Sequence, residues 1–200
     1  MAHLLHIDSS VQGDRSVSRR LSARAAERWR ATHPGGAVTY RDLAVNPIPH
    51  LDAVTGTARL VPAETRTPAQ ETSFALSVAL IDEIKNADTV LLGLPLHNFG
   101  APSSVKAWVD HIVAFGLSID AENGSGLLGE TDFIVLESRG GGYGPGTPRE
   151  GWVVRQSATR ATECASRQTG RLHRRRSRRR SRAAMRRTRM PRRDGRRRSR

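Results

Sequence analysis

Thr89-Val-Leu-Leu-Gly-Leu-Pro-Leu-His-Asn-Phe-Gly-Ala-Pro102 is the most telling segment of this 200-residue chain. The apolar run Val90 to Leu94 stops at Pro95, and a polar-aromatic loop follows, closed by Gly100 and Pro102. A continuous apolar run between turn residues is the pattern of a strand buried on both faces. In open parallel sheets, ligands sit beyond the carboxyl ends of the strands. His97, Asn98 and Phe99 therefore stand where a bound molecule is expected.

Upstream, residues 3–7 form a short apolar strand stopped by Asp8-Ser9-Ser10. Ser16 or Ser18 then caps a helix in which Leu21, Ala25 and Trp29 recur four apart on one face. Pro34-Gly35-Gly36 ends it, and Ala37 to Tyr40 make a second strand. Residues 43–69, rich in Pro and Thr, read as a long connection. A helix from about Gln70 to Asn86 presents Phe74, Val78, Ile81 and Ile84 inward.

Downstream, a helix from about Pro102 to Phe115 carries the stripe Val105, Trp108, Val109, Ile112 and Val113. Proline suits a first helical turn, where its missing N–H would have no intrahelical partner. Phe133 to Leu136 are a fourth strand, running into Ser138-Arg-Gly-Gly-Gly-Tyr143. The alternation β-α-β-α-β-α-β implies an α/β fold: an open parallel sheet, right-handed crossovers and helices on both faces.

The net charge of +14 suggests a nucleic-acid binder, but the average conceals two regions. Of the 33 Lys and Arg, 20 lie after Trp152, all of them Arg, against two of the 19 acids. Residues 1–152 thus hold 13 cations and 17 acids, a net −4, and residues 153–200 a net +18. The single cysteine, Cys164, excludes a disulfide framework and a thiolate metal cluster. The N-terminus lacks a charged region and a long apolar run, so no signal peptide is expected. No stretch reaches the roughly 18 apolar residues of a membrane span. A cytoplasmic protein without a membrane partner is the expectation.

Three loops carry the chemistry, and a parallel sheet brings them to one edge. The first, Ser9-Ser10-Val-Gln-Gly-Asp-Arg-Ser16-Val-Ser18, offers hydroxyls and a helix N-terminus, a place for a phosphate dianion. It is neither a Walker A loop nor a G-x-G-x-x-G fingerprint, and fits a mononucleotide better. Taken alone it is also an ordinary capped helix start. The second, Pro95 to Gly100, pairs the amide of Asn98 with the ring of Phe99, suited to a heterocycle; otherwise it is a plain β-to-α turn. The third, Ser138 to Gly142, has three glycines that let backbone approach a flat ligand.

Residues 1–152 resemble the FMN-dependent NADH-azoreductases, also called NADH:quinone oxidoreductases, of the flavodoxin-like fold. The matching pieces are Ser9-Ser10 with Ser16-Val-Ser18-Arg19, Pro95 to Pro102 leading into Lys106-Ala-Trp108, and Ser138-Arg-Gly-Gly141. The resemblance implies that Ser10, Ser16, Val17 and Ser18 hold the FMN phosphate. Leu96, His97, Asn98 and Phe99 would cradle the isoalloxazine, with Ser138, Arg139, Gly140 and Gly141 along its other edge. It further implies a homodimer with one FMN per subunit. Hydride would pass from NADH to the flavin and then to a quinone or azo compound, in a ping-pong cycle. Such chemistry needs orientation and electrostatic tuning by the protein, because the cofactor carries the electrons. His97 stands where the family often has an aromatic, and Phe115 is the aromatic left to cover the flavin.

After Trp152 the resemblance stops. Where the family continues into a helix, a strand and a last helix, this chain runs through Val153-Val-Arg-Gln-Ser into His173-Arg-Arg-Arg-Ser-Arg-Arg-Arg180. Residues 153–200 contain no Ile, Phe, Tyr, Trp or Lys and show no period, so disorder is expected. An off-frame reading of GC-rich DNA yields this composition; the alternative is a polyarginine arm binding nucleic acid through its phosphates, with the α/β body as scaffold. The sheet is then expected to lack its last strand and helix, leaving an exposed edge strand, a weakly folded product and a tendency to aggregate.

Overall fold

The computed structural model describes residues 1–129 and 131–152. The expectations for residues 153–200, disorder and nucleic-acid binding, lie outside the described residues. Four strands form one sheet: β1 (His3–Asp8), β2 (Ala37–Asp42), β3 (Thr89–Pro95) and β4 (Asp132–Ser138). Their order is β2-β1-β3-β4 and every pairing is parallel. Four helices connect them: α1 (Val17–Thr32), α2 (Ala53–Ala58), α3 (Pro68–Lys85) and α4 (Ser103–Ile112).

The period-two alternation of the central strands divides the core. Leu5, Ile7, Val90, Leu92 and Leu94 pack with Leu80, Ile81 and Ile84 of α3 and Val105, Trp108 and Ile112 of α4. Leu4 and Leu91 point the other way, against Ala26 of α1. Side chains on both faces of β1 and β3 are therefore buried, which is why these strands read as unbroken apolar runs. On α4, Val105, Trp108, Val109 and Ile112 are buried as the spacing implies, while Val113 is half-buried.

One expectation needs correction. On α1 the buried positions are Ser18, Ser22 and Ala26; of the expected stripe, Ala25 and Trp29 pack half-buried against the same cluster, while Leu21 is 42% exposed. The helix crosses β3 at Gly93, where a Cβ would lie 3.2 Å from the Ser22 hydroxyl, so a small residue is needed at position 22. The long connection 43–69 contains α2, capped by Asp52 and packed on α3. Helix α3 starts at Pro68 behind a capping box of Thr67 and Gln70, two residues before the expected start. Phe74 is half-buried under the Arg66 guanidinium, 3.6 Å from the ring centroid. Among the described residues no strand lies beyond β4, whose Ile134 is 45% exposed. No described helix is long and apolar enough to cross a membrane.

Candidate functional site

Parallel register sets Asp8 beside both Asp42 and Gly93, and Pro95 beside Ser138, so the loops after β1, β3 and β4 leave from one edge. A cavity of about 400 Å³ joins them. Gln12, Ser16, Val17 and Leu21 form its first wall, Pro95, Leu96 and His97 the second, and Glu137, Ser138, Arg139 and Gly140 the third. This is the size range of small-molecule and cofactor pockets.

The first wall is a helix start. Ser16 caps α1, its hydroxyl accepting from the amide of Arg19 at 3.3 Å and lying 3.0 Å from the Ser18 hydroxyl. The amides of Val17 and Ser18 open the first turn, where an α-helix supplies no acceptor, and the helix dipole is positive there. Ser10 and Ser18 are buried and support this start from behind, with Ser10 Oγ accepting from the Gln12 amide. Ser9 donates to the carbonyl of Gly93 at 2.9 Å and ties the loop to β3.

Beneath it lies a polar cluster built on the buried Asp8 and His6, with Tyr40 at its exposed rim. Asp8 accepts from Ser22 at 2.7 Å and from Tyr40 at 3.1 Å, with His6 Nε2 3.5 Å away. Burial, reinforced by the Asp8 and Asp42 carboxylates, pushes the Tyr40 phenol up to about 12, so it stays a neutral donor. Burial also holds His6 below the ordinary histidine value, despite the opposing pull of Asp8. Asp42 grips the Arg19 guanidinium through both oxygens, at 2.6 and 2.8 Å. Burial raises the Asp42 carboxyl, but Arg19 and the amides of Ala44 and Val45 outweigh it and leave a net lowering.

The second wall is strained. His97 and Gly100 exchange both backbone hydrogen bonds at 2.9 Å, closing a two-residue turn through Asn98 and Phe99. Both central residues have positive φ, 45° and 67°, as a type I′ turn demands. Asn tolerates this region, but a bulky Phe rarely adopts it, and such outliers concentrate at ligand sites. Phe99 is 39% exposed and meets Tyr143 and Trp152 edge-on, at centroid distances of 6.2 and 5.5 Å.

The third wall is fastened to the second by the Leu96 amide, which donates to the Ser138 carbonyl at 2.8 Å. Arg139 forms a two-pronged pair with Glu137 at 2.6 and 2.7 Å. The glycines differ in purpose. Gly140 lines the cavity and has open space where a Cβ would be, whereas a Cβ on Gly141 would lie 2.9 Å from Arg149. The close approach at Gly141 is thus to the chain's own arginine.

Of the residues singled out in the sequence, Ser16, Val17, Leu96, His97, Ser138, Arg139 and Gly140 share the cavity wall. Ser10 and Ser18 support it, and Asn98, Phe99 and Gly141 flank it within the same loops. Phe115 is exposed and does not line it. Gln12 and Pro95, which the sequence places in the site loops without a role, also line the wall, as do Leu21 and Glu137, and Tyr143 and Trp152 join Phe99; sequence reasoning missed the last four. Their only signal is adjacency to the three loops. Among the described residues no group of His, Cys, Asp and Glu is arranged to hold a metal ion.

A family model described as the flavodoxin-like fold matches residues 2–159. An FMN-dependent NADH:quinone oxidoreductase of Frankia alni is 44% identical over 152 residues, which cover 76% of this chain and 72% of that protein. An azoreductase from Bacillus anthracis superposes with a TM-score of 0.72 at 20% identity, covering 82% of this chain and 80% of that one. An FMN-dependent NADH-azoreductase from the same species, solved in complex with FMN, superposes with a TM-score of 0.64 at 20% identity, over 82% and 76% of the two chains. At that identity the two structures speak for the fold, and the family match and the Frankia relative speak for ancestry. The chain belongs to the flavodoxin-like-fold family of FMN-dependent NADH:quinone oxidoreductases.

Proposed function

We propose that this chain is an FMN-dependent oxidoreductase that uses NADH to reduce quinones and azo compounds. The observation that carries this reading is the single cavity joining the N-terminus of α1 to the loops after β3 and β4. The residues present fit FMN: an anion site at a helix start leads directly to a slot walled by backbone and an aromatic-flanked turn. When bound, FMN supplies a two-electron relay between NADH and the acceptor.

The Ser16 hydroxyl and the amides of Val17 and Ser18 would receive the phosphate, with Ser10 supporting the loop. Leu96, His97, Asn98 and Phe99 would hold one side of the isoalloxazine, and Ser138, Arg139, Gly140 and Gly141 the other. Backbone amides at these walls would offset negative charge gathered on reduction. NADH and the acceptor would use the open side of the site in turn, a ping-pong order. Val17 (49% exposed) and Leu21 stand beside the cavity, which supports a homodimer in which a second copy covers them. We assign the protein to the cytoplasm.

Initial rates with NADH varied at several benzoquinone concentrations test the order of events. Parallel double-reciprocal lines are expected. Converging lines would show that both substrates must be present together and would overturn the ping-pong proposal.

A further inference from the structure

We propose that Arg19 is a positioning residue for the FMN phosphate and not one of its ligands. The inference rests on reading the first loop as the phosphate site. An arginine one turn into a phosphate-binding helix would ordinarily be taken as a direct contact. Its geometry here says otherwise.

A guanidinium has five N–H donors. On Arg19, Nε donates to the Ser10 carbonyl at 3.0 Å and Nη2 to the same oxygen at 2.7 Å. Nη2 also donates to Asp42 Oδ1 at 2.8 Å, and Nη1 to Asp42 Oδ2 at 2.6 Å and to the Tyr40 hydroxyl at 3.1 Å. All five are engaged within the protein. Asp42 neutralises the charge at contact distance, and Asp8 lies 4.0 Å away. No donor and little net charge remain for an anion.

What the side chain does is brace. Ser10 lies near the start of the first loop and Asp42 ends β2, where it also accepts from the amides of Ala44 at 2.9 Å and Val45 at 3.2 Å. Arg19 therefore ties the loop to the rim of the neighbouring strand at one end and to α1 at the other. Engaging the Ser10 carbonyl also offsets its partial negative charge in a loop read as receiving a dianion.

Comparing FMN with riboflavin isolates the phosphate. Dissociation constants for both flavins are measured by fluorescence quenching for the wild-type chain, Arg19→Met and Asp42→Asn. In each variant FMN affinity should fall roughly ten-fold or more, with riboflavin affinity held within about two-fold. Asp42→Asn separates the roles, because a ligating arginine freed of its carboxylate would bind FMN more tightly. Unchanged or tighter FMN binding by Asp42→Asn overturns the proposal, as does an equal loss of both flavins in the two variants. A wild-type chain binding the two flavins equally well would overturn the phosphate placement itself, a separate failure.

Discussion

The Asp8 carboxylate fills the space that a side chain on residue 93 would need: a Cβ there would lie 2.4 Å from Asp8 Oδ1. Gly93 is thus required beneath the first loop, where Asp8 holds Ser22 and Ser9 holds the Gly93 carbonyl. Gly93→Ala should cost about 1–3 kcal/mol of stability, as overpacked cores do. Urea unfolding measures it, and an unchanged midpoint would show that Asp8 can move aside freely.

Asn98 occupies a positive-φ position that glycine adopts without strain. Asn98→Gly should keep the turn and shift stability by no more than about 0.5 kcal/mol. Flavin affinity should nevertheless fall, because the side-chain amide is lost. Wild-type affinity in a stably folded Asn98→Gly variant would remove Asn98 from the site.

Burial holds both His6 and His111 below the ordinary histidine value. His111 is fully enclosed: Nε2 faces the Pro49 carbonyl at 3.1 Å and Nδ1 the Ser77 hydroxyl at 2.9 Å, with the Arg59 guanidinium beyond. A carbonyl only accepts, so Nε2 carries the proton and Nδ1 accepts from Ser77. As pH falls through about 6.5, the unfolded chain takes up protons that the folded chain refuses. Their stabilising contribution is complete above that pH and is lost as pH drops toward the lowered folded values. The melting temperature should decline from about pH 7.5 to about pH 5.5, less steeply in His111→Gln. A flat profile would mean that neither histidine is held neutral by the fold.

Ile134 sits on β4, which has no neighbour on its outer side among the described residues. A half-apolar open edge invites pairing with other chains. Ile134→Lys should reduce light scattering on warming while leaving FMN affinity unchanged. Equal aggregation by both proteins would move the cause elsewhere in the chain.

The parts of the fold legible in the sequence are those whose burial is two-sided or strongly periodic. Val90 to Leu94 and the stripe on α4 announce themselves through hydrophobicity alone. The buried face of α1 does not: it is lined by Ser18, Ser22, which meets Gly93, and Ala26, while the visible apolar residue Leu21 is exposed. Helix α2 is six residues long, too short for a periodic signal. That the loops after β1, β3 and β4 share one edge was legible, because a parallel sheet gathers its strand ends. The bracing role of Arg19 was not, because its partner Asp42 lies 23 positions away.

Anaerobic titration of the FMN-loaded protein tests the central claim most directly. Addition of NADH without acceptor should bleach the bound flavin, and benzoquinone added afterwards should restore its colour. Failure of the chain to retain FMN, or bound flavin that keeps its colour under excess NADH, would contradict it.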